Sequence, residues 1–189
     1  MDKEACFSIC AYSNEKEPCD DVHVTNNIAA GCPYAGFVAP GHACGDDESD
    51  LFKWNTAHST LGAGMLIIPG DDPSHTAVCY EGSSLAVYKA QWGSIGTAYE
   101  AAEIRMRDVT VIDSKDGINI YASDRGDKFK TNKAVLINSH VYGETEADDC
   151  PEDHDCLCPQ KMGVMLFYGQ NGDKGYHHDV TSGYLTTNL

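Results

Sequence analysis

Short, mostly apolar runs broken by polar clusters recur along this chain. They fall at 22–24, 64–68, 85–88, 109–112, 118–121, 134–137 and 164–168, and are rich in β-branched and aromatic side chains. Gly, Asp, Asn and Ser clusters separate them. Short runs of this composition with such punctuation predict strands. Helix signals are poor. The best segment, 98–106, is only nine residues long and lacks an N-cap.

The strands recur at a repeat. With Gly36, Gly64, Gly93, Gly117 and Gly143 as anchors, the spacings are 28, 29, 24 and 26 residues. Eight residues before the anchors stand Ile28, Thr56, Leu85, Val109 and Val135. Six before them stand Ala30, His58, Val87, Val111 and Ile137. These two mainly apolar columns are the expected repeat core, and the glycines are the expected repeat turns. Nine before the anchors, a mainly polar column holds Asn27, Asn55, Ser84, Asp108 and Ala134. One half-buried strand per repeat, stacked on its neighbours, predicts an all-β parallel β-helix of about six coils. The competing architecture is a β-sandwich, whose turn signals every 8 to 12 residues are also present.

Composition narrows the reading. The 189 residues carry 13 Lys plus Arg against 29 Asp plus Glu, a formal charge of −16. That excludes a basic nucleic-acid footprint. A hydrophobic content of 42% is enough for a core. No apolar run reaches the length needed for a bilayer span. The nine cysteines suggest an oxidising compartment or a metal site, and their odd number leaves one thiol without an intrachain partner. No secretory signal follows Met1, and no Asn-x-Ser/Thr sequon occurs, so N-glycosylation is not expected here. The expected organisation is a Cys-containing lead-in over 1–18, then β-helix repeats over 19–189 with a long acidic, Cys-rich loop at 144–160.

Several blocks resemble a known family. One is Val24-Thr25-Asn26-Asn27-Ile28-Ala29-Ala30-Gly31, followed by Gly36-Phe37 and Cys44. Another is Trp54-Asn55-Thr56-Ala57-His58-Ser59, followed by Gly62, Gly64 and Cys79. Their order is similar to the parallel β-helix region of fibrocystin-like proteins, the polycystic kidney and hepatic disease family. Hyaluronan-binding, cell-migration-inducing proteins share that region. Segments 108–120 and 133–143, with the Cys150 to Cys158 cluster, look most like large ciliate or algal members. The likeness covers roughly residues 19 to 170. It implies a right-handed parallel β-helix within a large extracellular or cell-surface protein, on a cilium in such members.

Candidate chemistry is sparse. His58 in an apolar column reads as a buried structural histidine, since no carboxylate shares its column in neighbouring coils. Lys89 and Asp113 would face each other on adjacent coils as an ion pair. Asp108, Asp113 and Asp116 would be candidates for a polysaccharide-lyase groove, but all come from one coil. Cys150, Cys156 and Cys158 with His154 could bind zinc, yet the Cys-x-Cys spacing is too tight and disulfides suit the loop better. Cys6, Cys10, Cys19, Cys32, Cys44 and Cys79 are expected to supply further bridges. Acidic runs at 46–50 and 71–72 read as solvated faces, with adventitious Ca²⁺ as the alternative. The adjacent His177 and His178 would point to opposite faces of a strand and share no metal. Trp54 reads as core, whereas Trp92 and Tyr88 are candidates for stacking on sugars. No nucleotide, zincin or hydrolase motif occurs. No resident cofactor is expected.

The functional expectation is therefore a non-catalytic structural or adhesive module that presents an elongated acidic surface to neighbouring segments or subunits. A glycan lyase or hydrolase, or a carbohydrate-binding module, on the same scaffold is the alternative. Carboxylates from two adjacent coils flanked by Arg or Lys would favour the enzyme.

Overall fold

The computed structural model describes residues 5–9, 22–43, 51–68, 78–97, 103–124, 133–143 and 164–170. These residues form strands and no helix. In chain order the strands are β1 (Ala5–Ser8), β2 (Val24–Thr25), β3 (Ile28–Ala30), β4 (Ala35–Pro40), β5 (His42–Ala43), β6 (Phe52–Lys53), β7 (Thr56–His58) and β8 (Ala63–Ile68). There follow β9 (Val78–Tyr88), β10 (Gly93–Thr97), β11 (Glu103–Ile112), β12 (Ile118–Asp124), β13 (Lys133–Ile137), β14 (His140–Tyr142) and β15 (Val164–Gln170). The segment expected to have the best helix signal is strand from Glu103 onwards, because β11 pairs in parallel with β9 and β13.

The strands stack in parallel as a β-solenoid. One face is a six-stranded sheet in the order β1-β4-β8-β10-β12-β15. The other sheet is bent into two faces. The first holds β2, β6, the first halves of β9 and β11, and β13. The second holds β3, β7, the second halves of β9 and β11, and β14. The short β5 pairs antiparallel with the start of β9.

Left-handed residues make the bends. At the first corner stand Asn26, Trp54, Ser84, Asp108 and Asn138, with φ from +47° to +58°. At the second stand Gly31, Ser59, Lys89 and Asp113, with φ from +48° to +68°. Asn, Asp and Gly tolerate this region best. A left-handed residue turns the next amide out of the inter-strand ladder, and a following polar side chain compensates. Asn27 Nδ2, Ser114 Oγ and Ser139 Oγ each donate to the carbonyl two residues back, at 3.1, 3.1 and 3.0 Å. Oxygens in the same columns accept the neighbouring strand's amide. Asn27 N–H donates to Asn55 Oδ1 at 3.1 Å, Ala90 N–H to Ser114 Oγ at 3.1 Å and Val109 N–H to Ser139 Oγ at 3.3 Å. Asn55 also donates from Nδ2 to the Val24 carbonyl at 2.6 Å.

The core runs between the faces. Ala29, Ala57, Val87, Val111 and Val141 form one inward column. Phe7, Phe37, Met65, Ile95 and Ile118 form another on the opposite sheet. An aromatic chain closes one end of the stack: Phe7 on Phe37 at 4.9 Å, Phe37 on Phe52 at 5.6 Å and Phe52 on Tyr80 at 6.1 Å. A second, smaller cluster holds Ala35, Val38, Ala63 and Leu66. Each fully buried Val, Ile or Phe contributes roughly 1.5–3 kcal/mol.

The expected core columns hold only in the middle. Leu85, Val87, Val109 and Val111 are buried. Ile28 is 68% exposed, Ala30 is exposed and His58 is half-buried, because Ala29 and Ala57 take the inward places. Val135 is half-buried over Arg105 and Ile137 is exposed, whereas Ala134 and Leu136 pack on the core. The glycines explain the slip. The register places Gly36 opposite Gly64, and Gly64 opposite Ser94 rather than Gly93. Gly117 lies opposite Ser94, and Gly143 follows β14 at the second corner. Gly36 and Gly64 are not turns; they lie inside strands where the two sheets come closest. A Cβ on Gly36 would lie 2.7 Å from Ala57 Cβ, and one on Gly64 would lie 2.2 Å from Val87 Cγ1.

Cys6 and Cys32 form a disulfide that ties β1 to the second corner of the next strand set. Cys79 is disulfide-bonded as well. Cys10, Cys19, Cys44, Cys150, Cys156 and Cys158 lie outside the described residues. So do the acidic runs at 46–50, 71–72 and 144–155, His154, His177 and His178.

Candidate functional site

The candidate site lies on the first bent face and along its corner. Parallel register carries every side chain straight up the stack, so one strand position becomes a column of residues about 4.8 Å apart. On this face one column reads Thr25, Lys53, Ser83, Arg107 and Ile137. Two cations therefore flank a small hydroxyl side chain, with their Cα atoms about 10 Å apart. The next column on the same face carries Glu81, Arg105 and Val135.

The charges are interlocked. Arg105 Nη2 lies 2.5 Å from Glu103 Oε1, and Arg107 Nη2 lies 3.6 Å from Glu81 Oε1. Glu81 and Glu103 come from neighbouring strands and are offset by two residues, because Glu81 stands opposite Arg105. This is the paired-carboxylate arrangement flanked by arginines that would favour glycan chemistry. Each carboxylate, however, already faces a guanidinium. Such pairs at a partly exposed surface position side chains more than they stabilise the fold.

Trp54 stands beside this face at the first corner. It is 52% exposed and has φ +57°. An L-residue in that region costs roughly 1–2 kcal/mol, and the equivalent corner residues are Asn26, Ser84, Asp108 and Asn138. Lys53 Nζ lies 4.4 Å from the centroid of the Trp54 ring, a cation–π contact. The expectation that Trp54 is core is thus corrected. Its neighbour Asn55 is 2% exposed and takes the inward place.

A second feature is the column on the other bent face. Ala30, His58, Tyr88, Ile112 and Tyr142 align there. His58 stacks on Tyr88 with centroids 4.7 Å apart and planes 4° apart. His58 is therefore an outward histidine beside an aromatic ring rather than a buried structural one; its Nδ1 lies 3.2 Å from Ser59 Oγ. Trp92 is 59% exposed.

The three aspartates of one coil are not brought together. Asp108 sits at the first corner, where Asn138 Nδ2 donates to it, and Asp113 sits at the second. Five residues of extended chain hold these two about 15 Å apart. The Asp116 carbonyl accepts from Ser94 N–H and Oγ. Lys89 and Asp113 do occupy neighbouring corner positions, with Lys89 N–H bonded to the Ile112 carbonyl. Among the described residues no cluster of three or more His, Cys, Asp or Glu could hold a metal, and no helix is long and apolar enough to cross a membrane.

Lys53, Ser83, Arg107, Glu81 and Glu103 belong to no motif in the sequence and were not among the expected site residues. Their signal was available in part. Once the left-handed corner is placed at Asn26, Trp54, Ser84 and Asp108, the residue before each corner gives Thr25, Lys53, Ser83 and Arg107 directly. No family model, no curated protein and no solved structure matches this chain.

Proposed function

We propose that this chain is a non-catalytic adhesive segment of a large extracellular or cell-surface protein, presenting a rigid β-solenoid to neighbouring segments or subunits. The observation that carries this reading is the in-register array of outward side chains on the bent sheet, where Lys53, Ser83 and Arg107 stand in one column and His58, Tyr88 and Tyr142 in another. Such an array holds cationic and aromatic side chains at a fixed spacing along a stiff stack, which suits contact at several points at once. The disulfides support an oxidising location. The six strands of the β1–β15 sheet support a stack of about six coils, and the fibrocystin-like resemblance supports a right-handed one. The fibrocystin-like resemblance supports a ciliary or other surface setting and requires no resident cofactor.

A glycan-active enzyme is the second reading. It is favoured by Glu81 and Glu103 on neighbouring strands with Arg105 and Arg107 beside them. The test has two arms. Beads coated with the chain should bind to each other or to cell surfaces and be retained under flow; free beads would refute adhesion. A reducing-end assay on uronate polysaccharides should show no release; fragments would refute the non-catalytic reading.

A further inference from the structure

We propose that Trp54, with the Lys53–Ser83–Arg107 column beside it, is a binding site for a short acidic oligosaccharide, one bearing a carboxylate or sulfate on a pyranose ring. The proposal deepens the adhesive reading and rests on it.

Three observations meet at this place. The first is that Trp54 is a costly choice for its backbone position. It occupies a left-handed corner that its four equivalents fill with Asn, Ser, Asp and Asn. It is 52% exposed, so its ring stabilises no core. Strain that packing does not require points to a use outside the fold. The second is charge. In a chain of net charge −16, the neighbouring column carries Lys53 and Arg107 on either side of Ser83. The arginine is held in place by Glu81, at 3.6 Å, and remains 46% exposed. Lys53 is held against the indole ring. Both cations are thus oriented before any ligand arrives, which lowers the ordering cost of binding.

The third is geometry. A pyranose ring offers an apolar C–H face to an indole and an equatorial anionic group at its rim. With the sugar against the exposed part of Trp54 that Lys53 leaves uncovered, that group can reach towards the Ser83 hydroxyl and the two cations. A sugar residue is about as long as the rung spacing of about 4.8 Å, so a short chain laid along the column meets one strand position per residue. A long polyphosphate suits the site less, because the remaining acidic surface repels it at low salt. The Arg–Glu pairs leave these groups to bind rather than to react, so no bond is made or broken.

The experiment is a titration of the full chain with tetragalacturonate, a sulfated heparin tetrasaccharide, cellotetraose and oligothymidylate, followed by tryptophan fluorescence. One or both acidic oligosaccharides should bind and perturb the fluorescence, with cellotetraose at least tenfold weaker. The two acidic arms tell carboxylate from sulfate. Raising NaCl from 20 to about 200 mM should weaken binding. Trp54→Asn should lose binding and keep or raise the melting temperature, and Lys53→Ala with Arg107→Ala should cost at least tenfold. Trp92→Phe should bind as the parent does and so assigns the signal to Trp54. Equal binding of cellotetraose or oligothymidylate, or undiminished binding by Trp54→Asn, overturns the site. If coated beads adhere but no acidic oligosaccharide binds, the ligand class is wrong and the adhesive reading stands. If the beads do not adhere either, both fall.

Discussion

Asn55 is the side chain on which the first rungs turn. It is buried, yet the two following rungs fill the same column with Leu85 and Val109. Replacing it with leucine would therefore look conservative on hydropathy. The geometry says otherwise. Asn55 Nδ2 donates to the Val24 carbonyl at 2.6 Å, and its Oδ1 accepts from Asn27 N–H and Asn27 Nδ2, both at 3.1 Å. Asn27 Nδ2 keeps a second partner in the Thr25 carbonyl, and the parallel ladder of β2 and β6 leaves the Val24 carbonyl the Lys53 N–H. The variant therefore orphans one backbone group, the Asn27 N–H, and takes one of two donors from Val24. Leaving a buried polar group unpaired costs about 1–3 kcal/mol. Added leucine burial recovers roughly 1–2 kcal/mol at best, and overpacking beside Asn27 removes part of that. Asn55→Ala is thus expected to cost about 2–3 kcal/mol and Asn55→Leu about 1 kcal/mol. Urea unfolding followed by circular dichroism reads both values, with an unchanged m-value as the check that one transition is being compared. A leucine variant within about 0.5 kcal/mol of the parent would refute the idea that this side chain serves the corner amides.

Three further outcomes follow from the same structure. Gly64→Ala would set a Cβ 2.2 Å from Val87 Cγ1 and 2.8 Å from the Ser94 carbonyl; it should destabilise by about 1–3 kcal/mol, and Val87→Ala should relieve it only in part, as read by thermal melts. Burial pushes the Tyr80 phenol well above its usual range, and its hydroxyl has Met65 Sδ at 3.9 Å. The unfolded chain therefore loses the Tyr80 proton first, so this group's contribution is intact below about pH 10 and declines as pH rises beyond it; Tyr80→Phe should flatten the alkaline fall in urea midpoint relative to the parent. Cys6→Ser should cost about 3.5 kcal/mol from the chain-entropy argument for a closure of 26 residues, measured against the parent in non-reducing urea.

Much of the fold was legible because period two and a repeat near 26 residues survive in the sequence. Register was not. Each rung bends twice at left-handed residues, so alternation restarts at every corner, and a single column counted back from a glycine crosses those restarts. One residue of slip exchanges the two faces of a strand. It turned Ile28, Ala30 and His58 inward on paper and Ala29 and Ala57 outward. The same count puts Trp54 in the core and Asn55 in a polar column outside it. Polar had been equated with outward, whereas Asn27, Asn55 and Ser114 face backbone groups that the corners expose. The candidate site shared this fate. Lys53 and Arg107 are far apart in sequence and meet only through the register of β6, β9 and β11.

The corners also decide where the chain can accept new sequence. The first corner is always two residues long: Asn26-Asn27, Trp54-Asn55, Ser84-Leu85, Asp108-Val109 and Asn138-Ser139. The passage from the six-stranded sheet back to the bent one varies in length, from 98–102 between β10 and β11 to 9–23 between β1 and β2. The second corner lengthens once as well, to 143–163 between β14 and β15, so evolutionary insertion and laboratory grafting should both spare the first corner. A foreign peptide inserted at 69–77 would ride on an unaltered stack, while a single residue added between Trp54 and Asn55 would throw every later contact of that rung out of step.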